Sequence, residues 1–342
     1  MTMTQTTDAK GMHMAEVLEL LAFHKDLPQD MADESFRRLM DGTMSPAQAG
    51  AFLMGLKTKG ETARELTAAV NAALAHARLV PGLSGARIDT CGTGGDATCS
   101  FNCSTVVALT LAGMGYKVVK HGNRSVSSTC GSADALEAVG LSLTTKPEAV
   151  AGELERCNFA FLFAPEYHPA FRHIMPVRKE IGCRTLFNML GPLLNPARPT
   201  HQLLGVALPQ FLLRMATVLA NTGVRRAAVV HGAGGFDELT PFGVNRMVEV
   251  RDGWLREAEF DPADYGFARH APEAVAVTGR DEAVAVLREV LAGGGPEAMR
   301  DMAALNVGMC VHLLEDGMDM AQAMDAARAA LAAGAGERVL HA

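Results

Sequence analysis

Arg87-Ile88-Asp89-Thr90-Cys91-Gly92-Thr93-Gly94-Gly95-Asp96, followed by Phe101-Asn102-Cys103-Ser104-Thr105 and then by Tyr116-Lys117-Val118-Val119-Lys120, is the stretch that decides the fold class. A short β-rich run passes through a glycine turn into a helical stretch, Ser104 to Gly113, and the chain returns as a second β-rich run. Strand, crossover helix and strand make the repeating unit of a parallel sheet. The unit recurs downstream, with β-rich runs at Phe159 to Phe163, Leu203 to Ala207 and Ala227 to Val230, and helical stretches at Pro147 to Cys157 and Gln210 to Leu219. This alternation predicts an α/β fold whose mostly parallel mixed sheet is covered by helices on both faces. Met247 to Val250 and Gly253 to Leu255, joined by Arg251-Asp252, predict a hairpin that adds antiparallel strands. From Asp281 onward the pattern is helical again, interrupted by a loop at Gly293-Gly294-Gly295.

Upstream of that stretch the character differs. Residues 1–80 read as helices only: one around Leu18, Leu20, Leu21 and Phe23, a second from Asp33 to Met40 that stops at Gly42, a third opened by Ser45-Pro46, and a fourth opened by Thr62-Ala63-Arg64-Glu65. Ser-Pro supplies an N-cap and a first helical residue, and the Thr-to-Glu spacing is that of a capping box. Pro81-Gly82-Leu83-Ser84-Gly85 breaks the chain. The expectation is a small helical domain over 1–80 and a large α/β domain over 81–342.

Composition narrows the function classes. The 342 residues are 49% hydrophobic, and 31 Lys+Arg against 38 Asp+Glu give a formal charge of −7. That length buries a full core without disulfides, and that charge opposes a protein built to bind a nucleic-acid backbone or an anionic membrane. Seven cysteines contain no C-x-x-C pair, so zinc-ribbon spacing is absent. The polar segment Met1 to Lys10 has no apolar core of the signal-peptide kind, and no apolar run approaches a membrane span. A reduced cytoplasm is the expected setting.

The chemistry concentrates at the ends of β-rich runs. Gly92, Gly95 and their neighbours allow close backbone approach to an anion, while Asn102, Ser104 and Thr105 stand at the start of a helix, where amide donors and the helix dipole favour negative charge. An ordinary glycine turn accounts for the same residues, and spacing alone leaves both readings open. The next run ends in Lys120-His121-Gly122-Asn123-Arg124-Ser125-Val126-Ser127-Ser128, which holds basic and hydroxyl side chains and no carboxylate. Ligands of open α/β sheets collect at this edge, so the segment strengthens the anion-site reading. Tyr167-His168-Pro169-Ala170, with Arg172, His173, Arg178 and Lys179, forms another cluster, and Gly235-Phe236-Asp237-Glu238 a third. Vicinal carboxylates are hard donors suited to Mg²⁺ when a phosphate site lies beside them, and otherwise a solvated acidic turn.

Taken together these motifs, with Gly131-Ser132-Ala133-Asp134 and Arg184-Thr185-Leu186-Phe187-Asn188-Met189-Leu190-Gly191-Pro192-Leu193-Leu194-Asn195-Pro196, resemble the anthranilate phosphoribosyltransferase family in order and spacing, from about Met14 to the C-terminal helices. The resemblance implies a cytoplasmic homodimer of the nucleoside phosphorylase/phosphoribosyltransferase-like fold, each subunit having an active site in a cleft between a helical domain, completed by helices near 170–195, and an α/β domain. It implies transfer of phosphoribosyl from 5-phosphoribosyl 1-diphosphate to the amine of anthranilate in tryptophan biosynthesis, with Mg²⁺ as cofactor and neither nucleic acid nor membrane as partner. Carried over by position, Gly92, Gly95, Asp96, Ser100, Asn102, Cys103, Ser104, Thr105, Lys120, Gly122, Asn123, Arg124, Ser125, Val126, Ser127, Ser128 and Ser132 hold the phosphoribosyl diphosphate. Gly92, His121, Asn123, His168 and Arg178 line the anthranilate path; Ser104 meets one Mg²⁺ that carries the diphosphate, and Asp237 and Glu238 meet a second. Lys120 and His121 act by charge and position, and no dedicated acid or base is implied. The chain departs from the family pattern at Ala97, at Thr129-Cys130 and at Gly243-Val244-Asn245-Arg246. A pyrimidine nucleoside phosphorylase, or a nucleic-acid-binding paralogue, is the alternative; the basic run does not match the first and the net charge opposes the second.

Overall fold

Five parallel strands, β1 (Ile88–Gly92), β2 (Val118–Gly122), β3 (Phe159–Phe163), β4 (His201–Gly205) and β5 (Arg226–His231), carry the α/β unit, and β6 (Asn245–Arg251) and β7 (Trp254–Phe260) extend it as an antiparallel hairpin. The computed structural model describes residues 12–95, 100–124 and 131–342. Strand order is β3-β2-β1-β4-β5-β6-β7, so the chain builds outward from β1 through β2 and β3 and then returns to the other side of β1. That reversal places a topological switch point between β1 and β4, where crevices for ligands form at the carboxyl ends of strands. β1 and β4 are in register from Ile88 opposite His201 to Gly92 opposite Gly205.

Both faces of the sheet are covered, which is why Phe159-Ala160-Phe161-Leu162-Phe163 reads as a continuous apolar run rather than an alternating one. Phe159 and Phe161 pack with Val118 into the main core, together with the Cys103–Gly113 and Glu297–Leu314 helices; Ala160 and Leu162 point oppositely, into a smaller core with Val119, Leu154 and Tyr167. The hairpin turns at Asp252-Gly253, where both residues have positive φ (46° and 88°), as a type I′ turn requires. This is one residue later than the sequence reading, and β7 runs on to Phe260 rather than stopping at Leu255. Arg256, Glu257 and Glu259 disguise it: an edge strand carries charge that reads as loop.

A second compact unit consists of the chain up to Arg78 together with His168–Leu194; Leu79–Tyr167 and Asn195–Ala342 make the α/β unit. The helical unit's N-terminal part comprises Met14–Ala22, Gln29–Asp41, Pro46–Lys59 and Ala63–Ala75. Ser45 with Gln48 and Thr62 with Glu65 form reciprocal capping boxes. Glu65 is wholly buried and also accepts from Lys59 Nζ (2.9 Å) and from the Leu27 N–H (3.0 Å), which ties the Ala63–Ala75 helix to the loop before Gln29. Phe171–Ile181 and Phe187–Leu190 are the inserted helices of the same unit.

Candidate active site

At the switch point the carboxyl ends of three adjacent strands meet glycines: Gly92 on β1, Gly205 on β4 and Gly232 just after β5. A Cβ on Gly205 would lie 1.4 Å from the Asp237 carbonyl oxygen, one on Gly92 2.1 Å from Asp237 Oδ2, and one on Gly232 2.0 Å from the Glu238 carbonyl oxygen. The acidic turn therefore lies directly across the strand ends, in space that only glycine leaves. Gly94 N–H donates to Asp237 Oδ2 at 2.7 Å, which joins the glycine loop to the acidic pair. Gly94 and Gly95 both have positive φ (63° and 78°), the backbone conformation that glycine adopts without strain.

Two buried amides hold this turn. Asn245, at the start of β6, accepts from the N–H groups of Ala233 (3.2 Å) and Thr240 (2.9 Å) and donates to the carbonyls of Thr240, Gly243 and Phe260, which clamps both ends of the loop. Asn306, on the Glu297–Leu314 helix, accepts from Leu239 N–H (3.1 Å) and donates to Leu239 O (2.8 Å) and Met302 O (2.8 Å). The sequence reading noted Asn245 only as a departure and passed over Asn306. The available signal was an amide set among Ala303, Ala304, Leu305 and Val307, where a helix interior gives it no reason to be.

Beside the acidic turn sits a charged cluster. Lys120 on β2 is almost wholly buried, and its Nζ donates to Thr90 O and to Ser104 Oγ (3.2 Å). Burial lowers its pKa while Asp89 holds the ammonium charged. Asp89 on β1 is itself wholly buried, pushed up to about 6 by desolvation against the pull of Lys120; its carboxylate accepts from Asn195 Nδ2 (2.8 Å) and from His121 N–H (3.4 Å). Thr90, Ser104, Gly205, Asp237, Glu238 and Asn306 line one small recess, so the proposed metal ligands share a cavity.

The other expected phosphoribosyl diphosphate residues take varied positions. Cys103 N–H donates to Phe101 O (2.7 Å) and Thr105 N–H to Asn102 O (3.0 Å), so of these first-turn amides only that of Ser104 is without an acceptor among the described residues. The Cys103 side chain lies in the main core, and the Thr105 hydroxyl is buried with no partner among the described residues. Ser100 makes an isolated bridge to Ala276. A Cβ on Gly122 would meet Ser132 Oγ at 2.6 Å, which places Ser132 against the end of β2. Asn123 Oδ1 accepts from Arg124 N–H (2.8 Å). Arg124 pairs with Asp134 (2.9 Å) and Glu137 (2.6 Å), which engages its guanidinium within the protein. Asp96, Ser125, Val126, Ser127 and Ser128, with the departures at Ala97 and Thr129-Cys130, lie outside the described residues.

In the helical unit, Arg178 lies over the Phe187 ring at 5.5 Å and lines an open cavity with Arg172, Lys179, Arg184 and Asn188. It has no carboxylate partner among the described residues, and its Nη1 lies 3.8 Å from Met175 Sδ. His168 is buried and stacked on Phe171, with ring centroids 5.4 Å apart; desolvation lowers its pKa to about 4, so the imidazole is neutral near pH 7.

A glycine loop, a buried lysine and a vicinal acidic pair at the switch point of a mostly parallel sheet define a phosphate-handling α/β protein, and comparison with known proteins narrows the class. Residues 84–337 match the glycosyl transferase family α/β domain and residues 15–77 that family's helical bundle domain. An anthranilate phosphoribosyltransferase from Nitratidesulfovibrio vulgaris is 61% identical over 331 residues, covering 95% of this chain and 98% of that protein; one from Oleidesulfovibrio alaskensis is 62% identical over 331 residues, covering 97% and 100%. The crystal structure of anthranilate phosphoribosyltransferase from Thermus thermophilus superposes with a TM-score of 0.88 at 38% identity, covering 95% of this chain and 97% of that one. The enzyme from Saccharomyces cerevisiae, solved in complex with PRPP and Mg, shares the fold at a TM-score of 0.86 and 24% identity, covering 96% of each chain. The chain belongs to the anthranilate phosphoribosyltransferase family, within the glycosyl transferases.

Proposed function

We propose that the protein transfers the phosphoribosyl group of 5-phosphoribosyl 1-diphosphate to the amine of anthranilate, releasing diphosphate, as a step of tryptophan biosynthesis. The observation that carries this reading is the Asp237-Glu238 turn laid across the glycine ends of β1, β4 and β5, with the Ser104 hydroxyl in the same recess. These hard oxygen donors fit Mg²⁺, which binds through one or two carboxylates plus substrate phosphates. Ser104 would hold one Mg²⁺ and Asp237 with Glu238 a second, and the metal would supply neutralisation of charge on the departing diphosphate.

The protein's own residues provide donors and position. Gly92, Gly95 and the Ser104 N–H offer a backbone cradle, Lys120 contributes a buried positive charge beside Ser104, and Arg178 offers a guanidinium fork to the anthranilate carboxylate. Anthranilate's amine is already neutral, so alignment with the anomeric carbon and exclusion of water matter more than a base. We place the protein in the cytoplasm as a homodimer, with domains at 1–80, joined by helices near 170–195, and 81–342, and with neither nucleic acid nor membrane as partner. The charge of −7 supports the first exclusion, and no helix among the described residues is long and apolar enough to cross a membrane.

Loss of anthranilate fluorescence tests the reaction: it is expected only when 5-phosphoribosyl 1-diphosphate and Mg²⁺ are both present. No loss under those conditions, with salt-sensitive binding to single-stranded DNA instead, would replace this reading with the paralogue one. Arg178→Ala is expected to raise the Michaelis constant for anthranilate by about tenfold or more, the value of a lost charged hydrogen-bond pair, while leaving that for the diphosphate substrate nearly unchanged. Equal rises for both substrates would assign Arg178 to shaping the cavity.

A further inference from the structure

We propose that Asn306 is a positioning residue for the Mg²⁺ site, fixing the acidic turn against the start of the cradle helix; the inference rests on the reading of Ser104, Asp237 and Glu238 as metal ligands. Its amide exchanges hydrogen bonds in both directions with Leu239, the residue after Glu238, much as a neighbouring strand would. The same Nδ2 lies 3.8 Å from the sulfur of Cys103, the residue before Ser104. One side chain on the Glu297–Leu314 helix thus touches the neighbours of ligands that are more than 130 residues apart in sequence. It also lines the recess that Ser104, Asp237 and Glu238 share.

A buried amide in an apolar helix is costly unless both its ends are used, and a purely space-filling role at this position would suit an apolar side chain. Asn245 also clamps the ends of the acidic loop, so Asn306 is not its sole support. What Asn306 adds is a fixed separation between the turn and the Cys103–Gly113 helix. Residues that orient metal ligands from behind set affinity more than chemistry, so the expected signature is weakened metal binding with turnover preserved at high metal.

The test uses the full-length protein with Mn²⁺ as the probe in the presence of diphosphate, bound Mn²⁺ being read by electron paramagnetic resonance. Asn306→Ala is expected to weaken Mn²⁺ binding by about tenfold or more. The Mg²⁺ concentration for half-maximal turnover should rise in parallel, with kcat at saturating Mg²⁺ falling far less. Met302→Ala, wholly buried one turn earlier on the same helix, serves as the packing control. Unchanged Mn²⁺ affinity in Asn306→Ala, or equal weakening in Met302→Ala at the same loss of melting temperature, would overturn the proposal. Should Asn306→Ala fail to fold, Asn306→Gln keeps the amide one methylene out of place and must still weaken Mn²⁺; affinity equal to wild type overturns the proposal by that route. Wild-type Mn²⁺ binding by the Asp237→Ala/Glu238→Ala double variant would remove the metal reading itself, whatever Asn306 does.

Discussion

Replacing Asp237 and Glu238 together by alanine is expected to lower the rate at ordinary Mg²⁺ by roughly three orders of magnitude, because removing even one preorganised group that stabilises developing charge costs about 10²–10³ in rate. The fold should survive. The turn is held through backbone groups, by Asn306 at Leu239 and by Asn245 at Ala233 and Thr240, and these anchors do not involve the two carboxylates. Thermal melting within a few degrees of wild type, alongside the lost rate in an anthranilate fluorescence assay, is therefore the expected pair of results. A double variant that turns over at the wild-type rate under limiting Mg²⁺ would exclude the acidic pair from the reaction.

Much of the fold is written locally. The Ser45 and Thr62 caps form as read, and the five parallel runs appear with boundaries shifted by a residue or two, because caps and strand propensity depend on near neighbours. The site is only half local. Gly94, Gly95, Lys120 and the acidic pair carry their chemistry in their side chains or in their lack of one. The pairing of Arg124 with Asp134 and Glu137, which takes a guanidinium out of the basic run, depends on how the Ser132–Ala138 helix folds back. Thr105's amide is consumed by Asn102 O through the geometry of the helix's first turn, a detail that no residue type announces. Asn306 and Asn245 bond mainly to backbone, so the sequence marks an amide in an apolar setting without naming its partners.

Gly205 shows most sharply what register adds to sequence, and Gly205→Ala is expected to be more damaging than Gly94→Ala in the loop. Gly94 has positive φ and open space around its Cβ position, so alanine there meets only the backbone penalty of about 1–2 kcal/mol. Gly205 sits in β4 outside the positive-φ region, where alanine would ordinarily gain about 0.4–1 kcal/mol by restricting the unfolded chain. What forbids it is the Asp237 carbonyl oxygen, 1.4 Å from where the Cβ would stand, with the Asp237 carbonyl carbon at 2.3 Å. Those atoms are backbone and cannot rotate aside, so the acidic turn itself must lift from the strand ends. Overpacking of this kind costs about 1–3 kcal/mol and sometimes more. The lift also carries Asp237 and Glu238 away from Ser104, so turnover should fall along with stability, and added Mg²⁺ should restore only part of it. Urea denaturation and the fluorescence assay measure the two effects. A Gly205→Ala protein as stable as wild type would mean that the acidic turn does not cross the end of β4, and the shared recess with Ser104 would go with it.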